Sequence, residues 1–262
     1  MSLLWSELRL KRLSLVVWTV SVALLILMLI AVYPSVRDSP GLDAIYGDLS
    51  PAAQALLGGS DLTSPAGYLN TQLFAFFLPA VLLVYVLGRS AATMAGEEED
   101  RTLDLLLAQP LARWNAYVQK AAAVAVGLLV LCLATLIPLL ALDSAVQFDL
   151  PAANVSAIVI QMGLFCLALG MWTQALSAAT GRKVVGLGAV TGYVVLSYLV
   201  YGLSASISWL EPLRPLSLWR WYLGNDPLQN GFGIAECLVL AGTTAVGIAV
   251  GLWFFNRRDL HA

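Results

Sequence analysis

Apolar residues occur in six long runs along the chain, and shorter polar stretches separate them. The runs cover residues 13–33, 71–91, 118–142, 155–179, 184–207 and 234–255. Each has about the 20 residues that an α-helix needs to cross the hydrocarbon core of a bilayer. Charge is nearly absent inside them, and the exceptions, Arg89, Lys120 and Glu236, lie near the ends of their runs. Since lipid cannot satisfy backbone polar groups, each run is predicted to be a membrane-spanning helix.

Composition supports the same fold class. Of the 262 residues, 60% are apolar and only 11% are charged, against roughly a quarter charged in a typical soluble domain. The first run is too long for the core of a signal peptide and lacks a clear small-residue cleavage site, so we expect it to be retained. The prediction is an all-α, polytopic helical membrane protein with six transmembrane helices in a single domain, residues 1–262.

The positions of lysine and arginine predict the orientation of the chain. With a cytoplasmic N-terminus, the outer segments contain only Arg37, Arg214 and Arg220 of the 14 basic residues. The opposite orientation would invert this bias, so both termini are expected to be cytoplasmic. The net charge of −2 indicates no polyanionic partner such as a nucleic acid.

Two shorter elements flank the predicted spans. Residues 1–12 combine apolar and charged positions at helical spacing, which is typical of a short amphipathic helix on the inner membrane surface. The alternative is a positive topology signal only. Residues 208–233 are rich in tryptophan and proline, which favours an outer segment that re-enters the membrane as broken short helices. The alternative there is an ordinary aromatic loop at the headgroup level.

The inner loop between the second and third runs, residues 94–113, has the most specific pattern. Four consecutive acids at 97–100 precede a short leucine-rich stretch. Leu103, Leu106 and Leu107 share one helical face. Taken alone, such a charge run is more often a solvated loop.

The ends of this stretch predict a short helix. Thr102 can cap its start, Asp104 favours a helix N-terminus, and Pro110 stops it. A rod of two turns is about 10 Å long and is not stable alone in water. It therefore needs either the bilayer or a partner protein to cover its leucines.

This loop resembles the signature of permease subunits in type-2 ATP-binding-cassette exporters. The residues that carry the resemblance are Glu97, Glu98 and Glu99 in the acidic lead, Thr102, Leu103 and Asp104 in the following step, Leu105, Leu106 and Leu107, then Pro110, Arg113 and Lys120. Arg101 departs from the pattern, since the family usually has glycine there. The six-span layout, the cytoplasmic ends and the aromatic outer segment extend the resemblance over most of the chain.

The resemblance implies that the loop forms a cytoplasmic coupling helix that docks in a groove of a separate ABC ATPase. The chain contains no phosphate-cradling glycine-rich loop, so we expect no enzyme activity and no bound cofactor in this subunit. ATP and Mg²⁺ would be held by the partner. The family implies two ATPase copies, a second permease chain (identical or different), export as the direction, and a prokaryotic cytoplasmic membrane as the location. Arg182 and Lys183, in the second inner turn, are a lesser candidate contact; otherwise they are a plain positive-inside turn.

Two further sets of residues were assigned from their type and position. Small or amide side chains that predict helix packing, within one chain or between two, are Gly170, Gln174, Gly188, Gly192, Gly247 and Gly251. Polar residues in or near the spans that suit a pathway for an amphipathic cargo are Asn70, Gln72, Gln161, Tyr198 and Tyr201.

Three other function classes were weighed. An ion-coupled secondary transporter usually has ionisable residues near the bilayer midplane, and this chain has none there. An intramembrane enzyme or a metal site is not expected, because the single histidine is His261 and the cysteines lie in apolar runs. A membrane scaffold or sensor that binds an ATPase without transport remains the main alternative.

Overall fold

The computed structural model describes residues 3–37, 48–57, 64–96, 99, 113–143 and 148–257. Within these ranges all regular structure is helical. Six helices are long and apolar enough to cross a membrane, and we call them spans 1 to 6: Arg12–Arg37, Pro65–Gly96, Arg113–Ala141, Ala152–Thr180, Lys183–Leu203 and Ile234–Arg257. The predicted all-α fold with six candidate spans is confirmed.

Several helices begin before or end after the apolar runs, because local capping sets their ends. Span 2 begins at Pro65, whose ring suits the first helical position, and the Ser64 hydroxyl accepts a hydrogen bond from the Gly67 N–H at 3.1 Å. Span 4 ends at Gly181, which has a φ of 70° and donates its N–H to the Ser177 carbonyl. That left-handed conformation favours glycine and makes the tight turn into span 5 possible.

Span 4 lies at the centre of the bundle. It packs against spans 2, 3, 5 and 6, and 67% of its most apolar window is buried. Spans 1 and 5 are peripheral, with only 17% of that window buried in each. Their exposed apolar faces require lipid or another protein, because water would not solvate them.

The segment that we call the outer segment, residues 208–233, is built from short helices. They are a 3₁₀-helix at Ser208–Leu216 and two α-helical turns at Leu218–Leu223 and Pro227–Asn230. Pro212 and Pro215 lie inside the 3₁₀-helix, and proline disfavours a longer α-helix.

The outer segment folds back into the bundle. The Tyr193 hydroxyl, at the middle of span 5, donates to the Leu216 carbonyl at 2.7 Å and accepts from the Leu218 N–H at 3.3 Å. The Trp219 ring lies 4.9 Å from that of Phe165, near the middle of span 4. These contacts bring residues 216–219 to the mid-level of both spans.

The N-terminal helix, Leu3–Leu10, packs against span 3. Trp5 and Leu10 remain largely exposed. An apolar side chain that is exposed beside the charged residues of the same helix suits the interface between lipid and water.

Glycines mark where the spans approach most closely. A Cβ added at Gly251 in span 6 would overlap the Tyr117 hydroxyl and lie 2.7 Å from its ring carbon and 3.0 Å from the Ala175 Cα. A Cβ at Gly242, in the same helix, would have no heavy atom within 4 Å. Alanine substitutions at these two positions therefore distinguish the effect of tight packing from the effect of helix propensity.

We expect Gly251→Ala to destabilise the chain by about 1–3 kcal/mol, the range for overpacking a well-filled core. Gly242→Ala is the matched control and should be neutral or slightly stabilising, because alanine favours a helix over glycine by up to about 1 kcal/mol. Thermal unfolding of the detergent-purified variants measures both. Equal midpoints for the two variants would contradict the close approach at Gly251.

Candidate functional site

A cluster of charges lies where the predicted coupling loop leaves span 2 and enters span 3. The Lys120 ammonium is fully buried, and its Nζ donates to the Thr93 carbonyl at 2.7 Å. Glu7 of the N-terminal helix lies 3.6 Å from Lys120 Nζ and, through its other oxygen, 3.7 Å from Arg89. A buried ammonium needs such a partner, because desolvation of an unpaired charge is costly.

The local backbone explains why Thr93 accepts this bond. Span 2 ends in a π-helical turn, Ala92–Gly96, and such wide turns interrupt the regular helical hydrogen-bond ladder. Lys120 is in the second turn of span 3. Its bond therefore joins the last turn of the helix before the loop to the start of the helix after it.

A second ion pair joins the loop to the turn between spans 4 and 5. Glu99 Oε2 lies 2.8 Å from Lys183 Nζ, and the Lys183 backbone N–H donates to Glu99 Oε1 at 3.2 Å. Lys183 is the first residue of span 5, so the carboxylate is also at a helix N-terminus, where negative charge is favoured. The hydrogen bond from the Lys183 ammonium lowers the pKa of Glu99 from its ordinary value. The pair therefore persists at neutral pH and is lost only as the pH falls through that lowered pKa.

Most of the predicted coupling helix lies outside the described residues, so this helix stays a prediction. The structure describes Glu99 and Arg113 of this set, whereas Glu97, Glu98 and residues 100–112 lie outside the described residues. Arg182 precedes span 5 with an extended backbone and is exposed. The structure thus brings Glu99 and Lys183 together, two residues that the sequence analysis had treated as separate contacts with a partner.

The packing residues fall into two groups. A Cβ at Gly170 would meet Val86 and Ser90 of span 2, and one at Gly247 would lie 3.3 Å from Met171 and Trp172 of span 4. In contrast, Gly188 and Gly192 of span 5 have no heavy atom within 4 Å of an added Cβ. The Gln174 amide donates to the Tyr117 carbonyl at 3.4 Å. The first group packs within the chain, whereas the second faces outward.

The structure gives the surroundings of three of the proposed pathway residues, and the pathway itself stays a prediction. Tyr198 donates its hydroxyl to the Leu56 carbonyl at 2.6 Å and packs on Trp219 at 4.9 Å. The ring of Tyr201 lies under Arg214. Gln161 is fully buried in span 4, and neither polar atom of its side chain has a hydrogen-bond partner among the residues that the structure describes. Both tyrosines therefore have contacts that hold the outer parts of the fold together.

Sequence reasoning missed the cluster of Glu7, Arg89, Thr93 and Lys120. Its signals were a lysine and an arginine inside apolar runs, which the orientation and the family pattern already accounted for. Glu7 is far from both Arg89 and Lys120 along the chain, so no local spacing shows these pairs.

We expect Glu7→Gln to destabilise the chain, because it removes a carboxylate that faces two cations. The loss should be about 1–3 kcal/mol, less than the 3–5 of a fully buried pair, since Glu7 is 19% exposed. Adding Lys120→Met should recover much of this loss by removing the buried charge. The exposed Glu211→Gln is the control and should be neutral. Thermal unfolding followed by tryptophan fluorescence tests this, and a double variant that is less stable than Glu7→Gln alone would refute the pairing.

The comparison with protein families agrees with the resemblance of the inner loop. Residues 1–260 match the model of the family described as ABC-2 family transporter protein, whereas no curated protein matches the chain. The match includes all six spans, the N-terminal helix and the outer segment. The chain therefore belongs to the ABC-2 transporter family, in which it is a multi-pass permease.

Proposed function

We propose that this chain is the permease subunit of an ABC exporter in the cytoplasmic membrane of a prokaryote. It moves its cargo outward with energy from ATP that a separate cytoplasmic ATPase hydrolyses. The observation that supports this best is the anchoring of the predicted coupling loop. Lys120 joins its two flanking helices through Thr93, and Glu99 joins it to Lys183.

A conformational change of the ATPase can reach the membrane spans only if the loop between them is held rigidly at both ends. The helices on either side of the predicted coupling loop, spans 2 and 3, are joined by a 2.7 Å hydrogen bond from a buried ammonium. Leu103, Leu106 and Leu107 share one face of the predicted coupling helix and are the side chains that would enter the ATPase groove. Displacement of this face would then act on spans 2 and 3 together.

The turn between spans 4 and 5 has a supporting role in this proposal. The ammonium and the backbone N–H of Lys183 both contact Glu99. Lys183 thus braces the loop against span 5, and Arg182, which is exposed, is the residue of this turn that faces a partner. Movement of the loop would in this way reach span 5 as well.

The open glycines favour a second permease chain. Gly188 and Gly192 are four residues apart on span 5, and this spacing allows close helix contact in lipid. Nothing in the described part of the chain fills the space beside either glycine. Two permease chains with two ATPase subunits would give the complex two nucleotide sites.

Replacement of Leu106 and Leu107 by serine should release the ATPase or abolish its coupling, because the apolar face that binds it is lost. Leu105→Ser is the matched control, since Leu105 lies off that face in the same stretch. The tagged chain is extracted in mild detergent, and the ATPase recovered with it is quantified together with its ATP turnover.

The outcomes of this experiment distinguish the alternatives. Recovery of a stoichiometric ATPase with the wild type and Leu105→Ser, but not with the double serine variant, supports the proposal. Unchanged recovery and turnover in the double variant would contradict it. A complex that hydrolyses ATP in vesicles but never redistributes any cargo would favour the scaffold alternative.

Reversal of either charge in the Glu99–Lys183 pair should weaken coupling, and reversal of both should restore it. Glu99→Lys or Lys183→Glu should lower permease-dependent ATP turnover only by a small factor, because solvent screens an exposed ion pair. Arg182→Glu is the control, and the addition of Glu99→Lys should not rescue it. Strictly additive effects of Glu99→Lys and Lys183→Glu would show that the pair has no role in coupling.

A further inference from the structure

A cavity of about 410 Å³ lies between spans 4, 5 and 6, below the outer segment. Leu169, Trp172, Val190 and Val239 contribute to its apolar lining. Its volume is within the range of pockets that bind small molecules. Because it lies among membrane spans, the molecules available to it include the lipids of the bilayer.

Three of the polar side chains that line this cavity are hydrogen-bonded within the chain. The Tyr193 hydroxyl donates to the Leu216 carbonyl at 2.7 Å, the Trp221 indole N–H donates to the Pro215 carbonyl at 2.8 Å, and the Thr243 hydroxyl donates to the Val239 carbonyl at 2.8 Å. The rest of the lining is apolar, and an apolar cavity accepts hydrocarbon more readily than water. Its lining is therefore suited to an alkyl chain.

Two arginines lie beside the cavity. The Arg220 guanidinium is 4.9 Å above the ring of Trp221, which lines the cavity. Arg214 and Arg220, with Gly224 and Glu236, also enclose a smaller polar cavity of about 170 Å³. Neither arginine forms an ion pair with any residue that the structure describes, so the two guanidiniums outweigh the one carboxylate of Glu236.

The residues of span 6 that line the two cavities show which cavity lies deeper in the membrane. Glu236, in the first turn of the helix, lines the polar cavity, whereas Val239 and Thr243 line the apolar one. At 1.5 Å per residue, the seven residues from Glu236 to Thr243 cover about 10 Å. The positive groups are thus at the predicted outer end of the span, and the apolar space lies deeper in the membrane.

We propose that these two cavities together bind one anionic phospholipid of the outer leaflet. An acyl chain fills the apolar cavity, and Arg214 and Arg220 hold the phosphate. The guanidinium geometry matches phosphate oxygens, and both arginines are on the side of the membrane where basic residues are rare in this chain. The site requires neither an ATPase nor transport, so it is independent of the proposed function.

The test uses the full-length chain in nanodiscs of phosphatidylcholine, with or without phosphatidylglycerol of the same acyl chains. Native mass spectrometry after partial delipidation counts the lipids that are retained. We expect one phosphatidylglycerol to be retained in preference to phosphatidylcholine. The double variant Arg214→Gln, Arg220→Gln should abolish that preference. Each single substitution should lower the preference about fivefold, since each basic residue near a membrane contributes about 1 kcal/mol. Glu236→Gln should strengthen it.

Matched controls separate the site from general effects. Val239→Trp fills the apolar cavity and should reduce retention of both lipids, whereas Val246→Trp, on the same helix but outside the cavity, should not. Arg257→Gln removes a different arginine that is stacked on a tryptophan, and this variant should retain phosphatidylglycerol as the wild type does. Equal retention of both lipids by the wild type would overturn the proposal. It would also be overturned if Val239→Trp altered self-association and left lipid retention unchanged, because a second copy of the chain would then cover the cavity.

Discussion

Hydrocarbon neither donates nor accepts hydrogen bonds, and the structure of this chain follows from that constraint. Within the spans, threonine hydroxyls turn back to the carbonyl four residues earlier, as Thr135, Thr173 and Thr244 do. The outer segment reaches the mid-level of the bundle, where span 5 provides hydrogen-bond partners for it. Tyr193 bonds two of its backbone groups, and the Ser217 hydroxyl donates to the Ser197 carbonyl at 2.7 Å. Irregular backbone at membrane depth is stable where protein surrounds it in this way.

The apolar bilayer also restricts where charged side chains can lie in the bundle. Lys120 is the buried ammonium of the described bundle, and it lies one or two turns from the predicted cytoplasmic end rather than at the centre. There it meets a carboxylate from the N-terminal helix and a carbonyl that a π-helical turn presents. A cation that must be paired holds three elements together: the N-terminal helix, the end of span 2 and the start of span 3. The predicted coupling loop emerges from this junction.

The fold class could be predicted from the sequence because bilayer thickness and composition alone determine it. Six apolar runs of sufficient length predict six spans, and no long-range contact is needed to reach that result. The contacts of individual glycines could not be predicted in the same way. Gly247 and Gly251 have the same spacing as Gly188 and Gly192, yet the first pair faces spans 3 and 4 and the second faces outward. Which face a helix turns inward depends on its neighbours, and a local motif does not encode them. The Glu7–Lys120 and Glu99–Lys183 pairs were beyond sequence reasoning for the same reason.

The arrangement of buried and exposed spans suits a transmission of force. Span 4 packs against four other spans and forms the fixed centre, whereas spans 1 and 5 lie at the periphery with few buried residues. Lys120 joins span 3 to the end of span 2, and Glu99 contacts the start of span 5. Span 5 also has the open glycines and supports the outer segment through Tyr193 and Ser197. A displacement at the predicted cytoplasmic end of span 5 would therefore act on the outer segment along a single helix of 21 residues. Such a movement would change the contacts of span 5 with span 4, whereas the contacts of span 4 with spans 2, 3 and 6 do not involve span 5.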